Sequence, residues 1–134
     1  MLKKLKIESS LNNLRIVENA IDFVTSQTGI NQDNYGKILI ATLEGVNNAI
    51  VHGNKSEPAK FVEIEINMKG NFLEVTITDE GLGFKPEKVP DPTLPENIEC
   101  LNGRGLFLMS KLADEIKFNK KGNSVKLKFK NILS

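Results

Sequence analysis

Residues 61–78 leave the chain little choice of fold. Val62, Ile64, Ile66 and Met68 alternate with Glu63, Glu65 and Asn67; after Lys69-Gly70-Asn71 the period resumes with Leu73, Val75 and Ile77 against Glu74, Thr76 and Thr78. A period of two sends alternate side chains to opposite faces of a strand. Two such runs joined by a tight turn make an antiparallel hairpin with one apolar face. That face has to be covered. One residue further on, the alternation puts Asp79 on the apolar side at the strand's exit, where a carboxylate is rare without a partner.

Two helical segments precede the hairpin and supply the cover. Ser9 or Ser10 is placed to cap the first, whose apolar stripe is Leu11, Leu14, Val17, Ile21 and Val24 and whose stop is Gly29. The second starts in the cap-rich residues 31–33, runs to about Val51 and is ended by Gly53; Ile38, Leu39, Leu43, Val46, Ala49 and Ile50 recur at helical spacing. Residues 2–8 alternate as a strand. Residues 116–118 and 125–129 form a second hairpin across 119–123, preceded by a short helix that begins at Gly103-Arg104-Gly105 and carries Leu106, Met109 and Leu112. Strands that are mostly antiparallel, in a mixed sheet with helices grouped on one face, make an α+β two-layer sandwich. At 134 residues the expectation is a single domain over residues 1–134.

Three features do not serve the core. Glu44, Asn48 and His52, four apart, line one stripe of the second helix. They are either a solvated edge or a polar face that meets a ligand, since burying them unpartnered is costly. Asp79-Glu80-Gly81-Leu82-Gly83-Phe84 follows an inward carboxylate with two glycines that let backbone approach a ligand; an ordinary strand-exit turn reads the same way. Gly103-Arg104-Gly105-Leu106 opens a helix, and its free N–H groups form a phosphate cradle if a phosphate is present. Between the last two, periodicity disappears and Pro86, Pro90, Pro92 and Pro95 forbid regular structure; a long irregular segment inside a compact domain reads as a lid, at about residues 84–102.

Composition removes several classes. A net charge of +1, with no basic run longer than two residues, argues against nucleic acid, and seven Phe, one Tyr and no Trp offer few surfaces for base stacking. Cys100 is the only cysteine and His52 the only histidine, which excludes an internal disulfide and cysteine- or histidine-rich metal clusters. There is no apolar signal core and no apolar run of about 18 residues, so no membrane association is expected and the chain reads as cytoplasmic.

The order of the features (acid–amide helix, strand-end Asp-x-Gly-x-Gly, lid, Gly-x-Gly helix start) resembles the GHKL, or histidine-kinase-like, ATP-binding fold over essentially the whole chain. Within it the chain looks like the stand-alone bacterial anti-sigma factor serine/threonine-protein kinases. Local matches are Glu44-x-x-x-Asn48-Ala-Ile-x-His52-Gly, Asp91-Pro-Thr-Leu-Pro95-Glu-Asn97, Gly103-Arg-Gly-Leu106-x-Leu-Met and Leu112-Ala-Asp114-Glu. Gly122-Asn123-Ser124-Val125 resembles a Gly-Thr-Thr-Val near the adenine, with Asn123 in place of the first threonine. The resemblance implies Glu44 as catalytic base, Asn48 as a ligand of Mg²⁺, and Asp79 as acceptor for the adenine amino group of ATP. It implies Gly81 and Gly83 as room for the base, Gly103, Arg104, Gly105 and Leu106 around the phosphates, and Ser124 near the adenine. His52 either caps the helix end or meets the nucleotide. The implied activity is ATP-dependent phosphorylation of a Ser or Thr on a STAS-type anti-anti-sigma protein, together with binding of a sigma factor and a homodimer through the first strand and helix. An ATP-gated binding module without kinase activity and a plain ATPase are the alternatives; retention of Glu44 favours the kinase.

Overall fold

The computed structural model describes residues 2–81 and 103–133; the lid expected at 84–102, and Gly83 before it, lie outside them. Five strands, β1 (Leu2–Glu8), β2 (Phe61–Lys69), β3 (Phe72–Thr78), β4 (Glu115–Phe118) and β5 (Ser124–Lys130), form one sheet in the order β1-β2-β3-β5-β4. Each of these ladders is antiparallel. Helices α1 (Leu14–Thr28), α2 (Gln32–Asn48) and α3 (Gly103–Leu112) supply the second layer.

The alternation read from the sequence decides which face they cover. Val62, Ile64 and Ile66 of β2, Leu73, Val75 and Ile77 of β3, and Val125, Leu127 and Phe129 of β5 are buried in one cluster with Val17, Ile21 and Val24 of α1, Ile38, Ala41 and Val46 of α2, and Leu106 and Met109 of α3. The opposite face carries Glu63, Glu65, Thr76, Lys126 and Lys128, with Lys4 and Lys6 opposite Glu65 and Glu63. Burial of this cluster is the main favourable term in folding.

The helix ends show where local chemistry differs from expectation. Gly29 closes α1 in the left-handed conformation, φ 74°, as the sequence suggested. Asn31 caps α2, its side-chain oxygen accepting from the Asn34 N–H at 2.9 Å. Neither serine caps α1. Ser10 makes no side-chain cap bond and a short 3₁₀ turn, Leu11–Asn13, intervenes. Ser9 is buried at the end of β1, and its hydroxyl donates to the Lys60 carbonyl at 2.7 Å, tying β1 to the start of β2. Nor does α2 run unbroken to Val51. Its regular part stops at Asn48, and Ala49–Gly53 continue as one wider π turn.

Candidate functional site

A cavity of about 460 Å³ lies between the C-terminal end of α2, the exit of β3, the start of β5 and α3. It collects, from segments distant in sequence, Asn48, His52, Asp79, Gly81, Leu106 and Ser124 of the residues singled out above. Topology explains the convergence. β5 inserts between β3 and β4, so Thr78 pairs with Ser124 and their hydroxyls meet at 2.8 Å beside Asp79.

Asp79 forms one end of the cavity. The alternation that buries Ile77 carries the Asp79 side chain inward as well, and Oδ1 accepts the Gly81 N–H at 2.8 Å. Burial pushes the Asp79 carboxyl above its ordinary value of 3.8; the Gly81 N–H and the positive charges of Lys121 and Lys60 act in the opposite direction without cancelling it. The π turn brings Gly53 directly onto this carboxylate. A Cβ on Gly53 would overlap Oδ2 and Cγ of Asp79, and one on Gly81 would overlap the Gly53 carbonyl. Both glycines are required by close approach.

From Gly53 the cavity follows α2 back through Ala49 and Asn48 to Gly45. Asn48 is the second polar feature. Its Oδ1 is buried and has no hydrogen-bond partner among the described residues. An orphaned buried acceptor carries a cost of about 1–3 kcal/mol unless a donor or a cation meets it. Glu44, one helical turn further, is half-buried and engaged in an interaction of its own, and it is not among the residues lining the cavity. His52 sits exposed at the rim, on the wider turn. Gly103 and Gly105 stand in the first turn of α3, with Gly105 and Leu106 buried; the Arg104 side chain lies outside the described part.

Sequence reasoning missed Asn54. Asn54 is fully buried: Nδ2 donates to the Ser9 Oγ at 2.8 Å and the Phe61 carbonyl at 3.0 Å, while Oδ1 accepts the Glu80 N–H at 2.7 Å. The available signal was its place immediately after the helix-ending Gly53. Nothing in the periodicity marks it as inward.

The chain that builds this site has relatives. The family described as histidine kinase-like ATPase domain matches residues 7–129. The chain belongs to this family. Membership implies that ATP is the ligand of the domain. A serine-protein kinase RsbW from Oceanobacillus iheyensis is 25% identical over 122 residues, which cover 87% of this chain and 77% of that protein. An anti-sigma F factor from the same organism is 29% identical over 132 residues, 90% of each chain. The fold matches a crystal structure of the RsbU and RsbW domains of a Mycobacterium tuberculosis protein with a TM-score of 0.70 at 15% identity, over 97% of this chain; this chain spans 32% of that longer one. Among the described residues, no helix is long and apolar enough to cross a membrane.

Proposed function

We propose that this chain is an ATP-dependent protein serine/threonine kinase that phosphorylates a STAS-type anti-anti-sigma protein and sequesters a sigma factor. The observation that carries the reading is the buried Oδ1 of Asn48, without a hydrogen-bond partner among the described residues, on the wall of a cavity whose far end is the half-buried Asp79. A neutral oxygen without a donor suits a hard cation such as Mg²⁺, which takes oxygen ligands and shares its shell with water and phosphates. When bound there with ATP, Mg²⁺ would neutralise charge on the transferring phosphoryl group. The names of the relatives supply the kinase and anti-sigma parts of the reading.

The roles follow from position along the cavity. Asp79 Oδ1 is engaged by Gly81, which leaves Oδ2 to accept from the adenine amino group. Guanine presents a carbonyl at that position and would meet the carboxylate acceptor to acceptor, so ATP is selected over GTP. Ser124 stands beside this end, and the N–H groups of Gly103, Arg104 and Gly105 at the start of α3 serve the phosphates, with Gly83 and a lid over 84–102 completing a single domain. Glu44 lies one turn of α2 before Asn48, outside the cavity lining. There it takes the proton of the substrate serine hydroxyl while that oxygen bonds to the γ-phosphorus, and the bond from phosphorus to the β–γ bridging oxygen breaks to release ADP. A homodimer would use β1, an edge strand with Leu2 exposed, together with Leu11 of the 3₁₀ turn and Ile16 and Phe23 along α1, all exposed.

Purified chain incubated with γ-labelled ATP, Mg²⁺ and the STAS proteins of the same organism is expected to label one of them on serine or threonine. ATP binding without label would overturn the kinase reading in favour of a binding module, and phosphate release without label would favour a plain ATPase.

Asp79→Asn separates binding from stability. It replaces one carboxylate acceptor by an amide, and ATP affinity is expected to fall by about 1–3 kcal/mol. Stability should move the other way. A carboxyl whose folded value lies above 3.8 contributes stability that is fully present below 3.8 and lost as pH rises through the raised value. At neutral pH the ionised side chain is therefore a standing cost in the nucleotide-free protein, and the variant's thermal midpoint should rise. An unchanged ATP affinity in calorimetry would remove Asp79 from the base site.

A further inference from the structure

The peptide unit between Asp79 and Glu80 is held at both of its polar ends by side-chain carboxamides from two other segments. Asn123, in the turn before β5, donates from Nδ2 to the Asp79 carbonyl at 2.9 Å. Asn54, closing the π turn after α2, accepts the Glu80 N–H on Oδ1 at 2.7 Å. Neither amide can be turned round. The Asp79 carbonyl only accepts and the Glu80 N–H only donates, and the opposite end of Asn54 faces the Phe61 carbonyl. A further bond, from the Asp79 N–H to the Asn123 carbonyl at 2.9 Å, fixes the preceding peptide. Asn54 is itself anchored, its N–H bonding to the Ala49 carbonyl at 2.8 Å and Nδ2 to Ser9.

We propose that Asn54 and Asn123 are positioning residues for nucleobase selection: together they fix the Asp79–Glu80 peptide and so aim the free oxygen of the Asp79 carboxylate into the cavity. The inference rests on the reading of Asp79 as the base acceptor. Its physical content is rotational. With the peptide on its C-terminal side held at both ends and the one on its N-terminal side held by Asn123, Asp79 has no soft backbone dihedral left, and the Gly81 N–H to Oδ1 bond then settles the side chain. Releasing one end lets the carboxylate swing. Binding energy from a directed acceptor falls steeply with misalignment, whereas phosphate contacts, which guanine and adenine nucleotides share, are unaffected. Loss of the clamp therefore lowers ATP affinity more than GTP affinity, a pattern that general loosening of the fold does not produce.

Calorimetric affinities for ATP and GTP with Mg²⁺, measured on the full chain alongside thermal midpoints, test this in three variants. Asn123→Ala is expected to cut the ATP-to-GTP preference about tenfold, the scale of one hydrogen bond, and Asn54→Ala to do the same at a larger loss of stability. Asn31→Ala is the control. The Asn31 side-chain oxygen caps α2 by accepting the Asn34 N–H, with no bond to Asn54, Asn123 or the Asp79 peptide, so it should lower the midpoint and leave the preference intact. An unaltered preference in Asn123→Ala, or an equal fall in Asn31→Ala, overturns the clamp while leaving Asp79 as the base acceptor. A wild type without preference for ATP overturns both. If Asn54→Ala does not fold, Asn123→Ala decides alone.

Discussion

Glu44→Ala is expected to lower the rate of phosphoryl transfer to the protein substrate by about 10²- to 10⁴-fold, the usual contribution of a positioned general base, while leaving ATP affinity within about threefold of wild type. The split follows from the geometry. The cavity runs along α2 from Gly53 and Asp79 to Asn48 and Gly45, and Glu44 is not among its lining residues. The nucleotide can therefore be held without it, while the proposed role of Glu44 is to take the proton of the incoming hydroxyl. Glu44 is half-buried and is not a member of the core cluster, so truncation to alanine leaves that cluster intact. Single-turnover labelling of the substrate protein and nucleotide calorimetry on the same preparation give the two numbers. Equal turnover in mutant and wild type would take the base assignment away from Glu44, and a parallel collapse of ATP affinity would mean that Glu44 organises the site instead.

Gly53→Ala should strongly impair nucleotide binding, although it adds only one methyl group. The added Cβ would overlap Oδ2 and Cγ of Asp79 and come within 2.8 Å of Oδ1. The carboxylate has nowhere to retreat, because Gly81 holds Oδ1 and the backbone on both sides of Asp79 is hydrogen-bonded. Displacing the group that has to meet the base is expected to cost ATP affinity on the same scale as Asp79→Asn, about 1–3 kcal/mol, since both the acceptor's position and the Gly81 turn are disturbed. Gly36→Ala is the matched control: its Cβ would have nothing within 4 Å, and in an α2 position alanine is the better helix former by about 1 kcal/mol. ATP affinity in Gly53→Ala equal to that in Gly36→Ala would contradict the close approach of the π turn to Asp79.

These two residues also mark how far the sequence could be read. The hairpin at 61–78, its register and the inward placement of Asp79 follow from a period of two and a tight turn, and the helix stripe at 44 and 48 follows from a period of 3.6; both signals are local and the fold obeys them. Gly53 was legible only as a helix terminator. Its contact with Asp79 depends on the helix widening to a π turn over Ala49–Gly53, and no residue preference in that stretch distinguishes a π turn from an α turn. Asn54 was invisible, and Asn123 was marked only by its place in Gly122-Asn123-Ser124-Val125, for a related reason: each occupies a turn, where asparagine is common for its own backbone chemistry, and only the folded chain shows that both face one peptide. Ser9 was misplaced because two adjacent serines before an apolar stripe satisfy the capping rule equally well, while the partner that captures Ser9, Lys60, is 51 residues away.

The position of β5 between β3 and β4 sets an order of events during synthesis. Thr78 and Ser124 meet 46 residues apart, and the remaining pairs of that ladder span wider loops, out to Phe72 with Lys130. Closing such loops is entropically expensive until several contacts form together. The hairpin of β2 and β3 can assemble as soon as it leaves the ribosome, but the wall that Ser124 and Asn123 provide beside Asp79 is absent until β5 has emerged and zipped in. A nascent chain arrested before residue 124 would thus carry Glu44, Asn48 and Asp79 and still be blind to nucleotide, which makes ATP capture a signal that the sheet is complete.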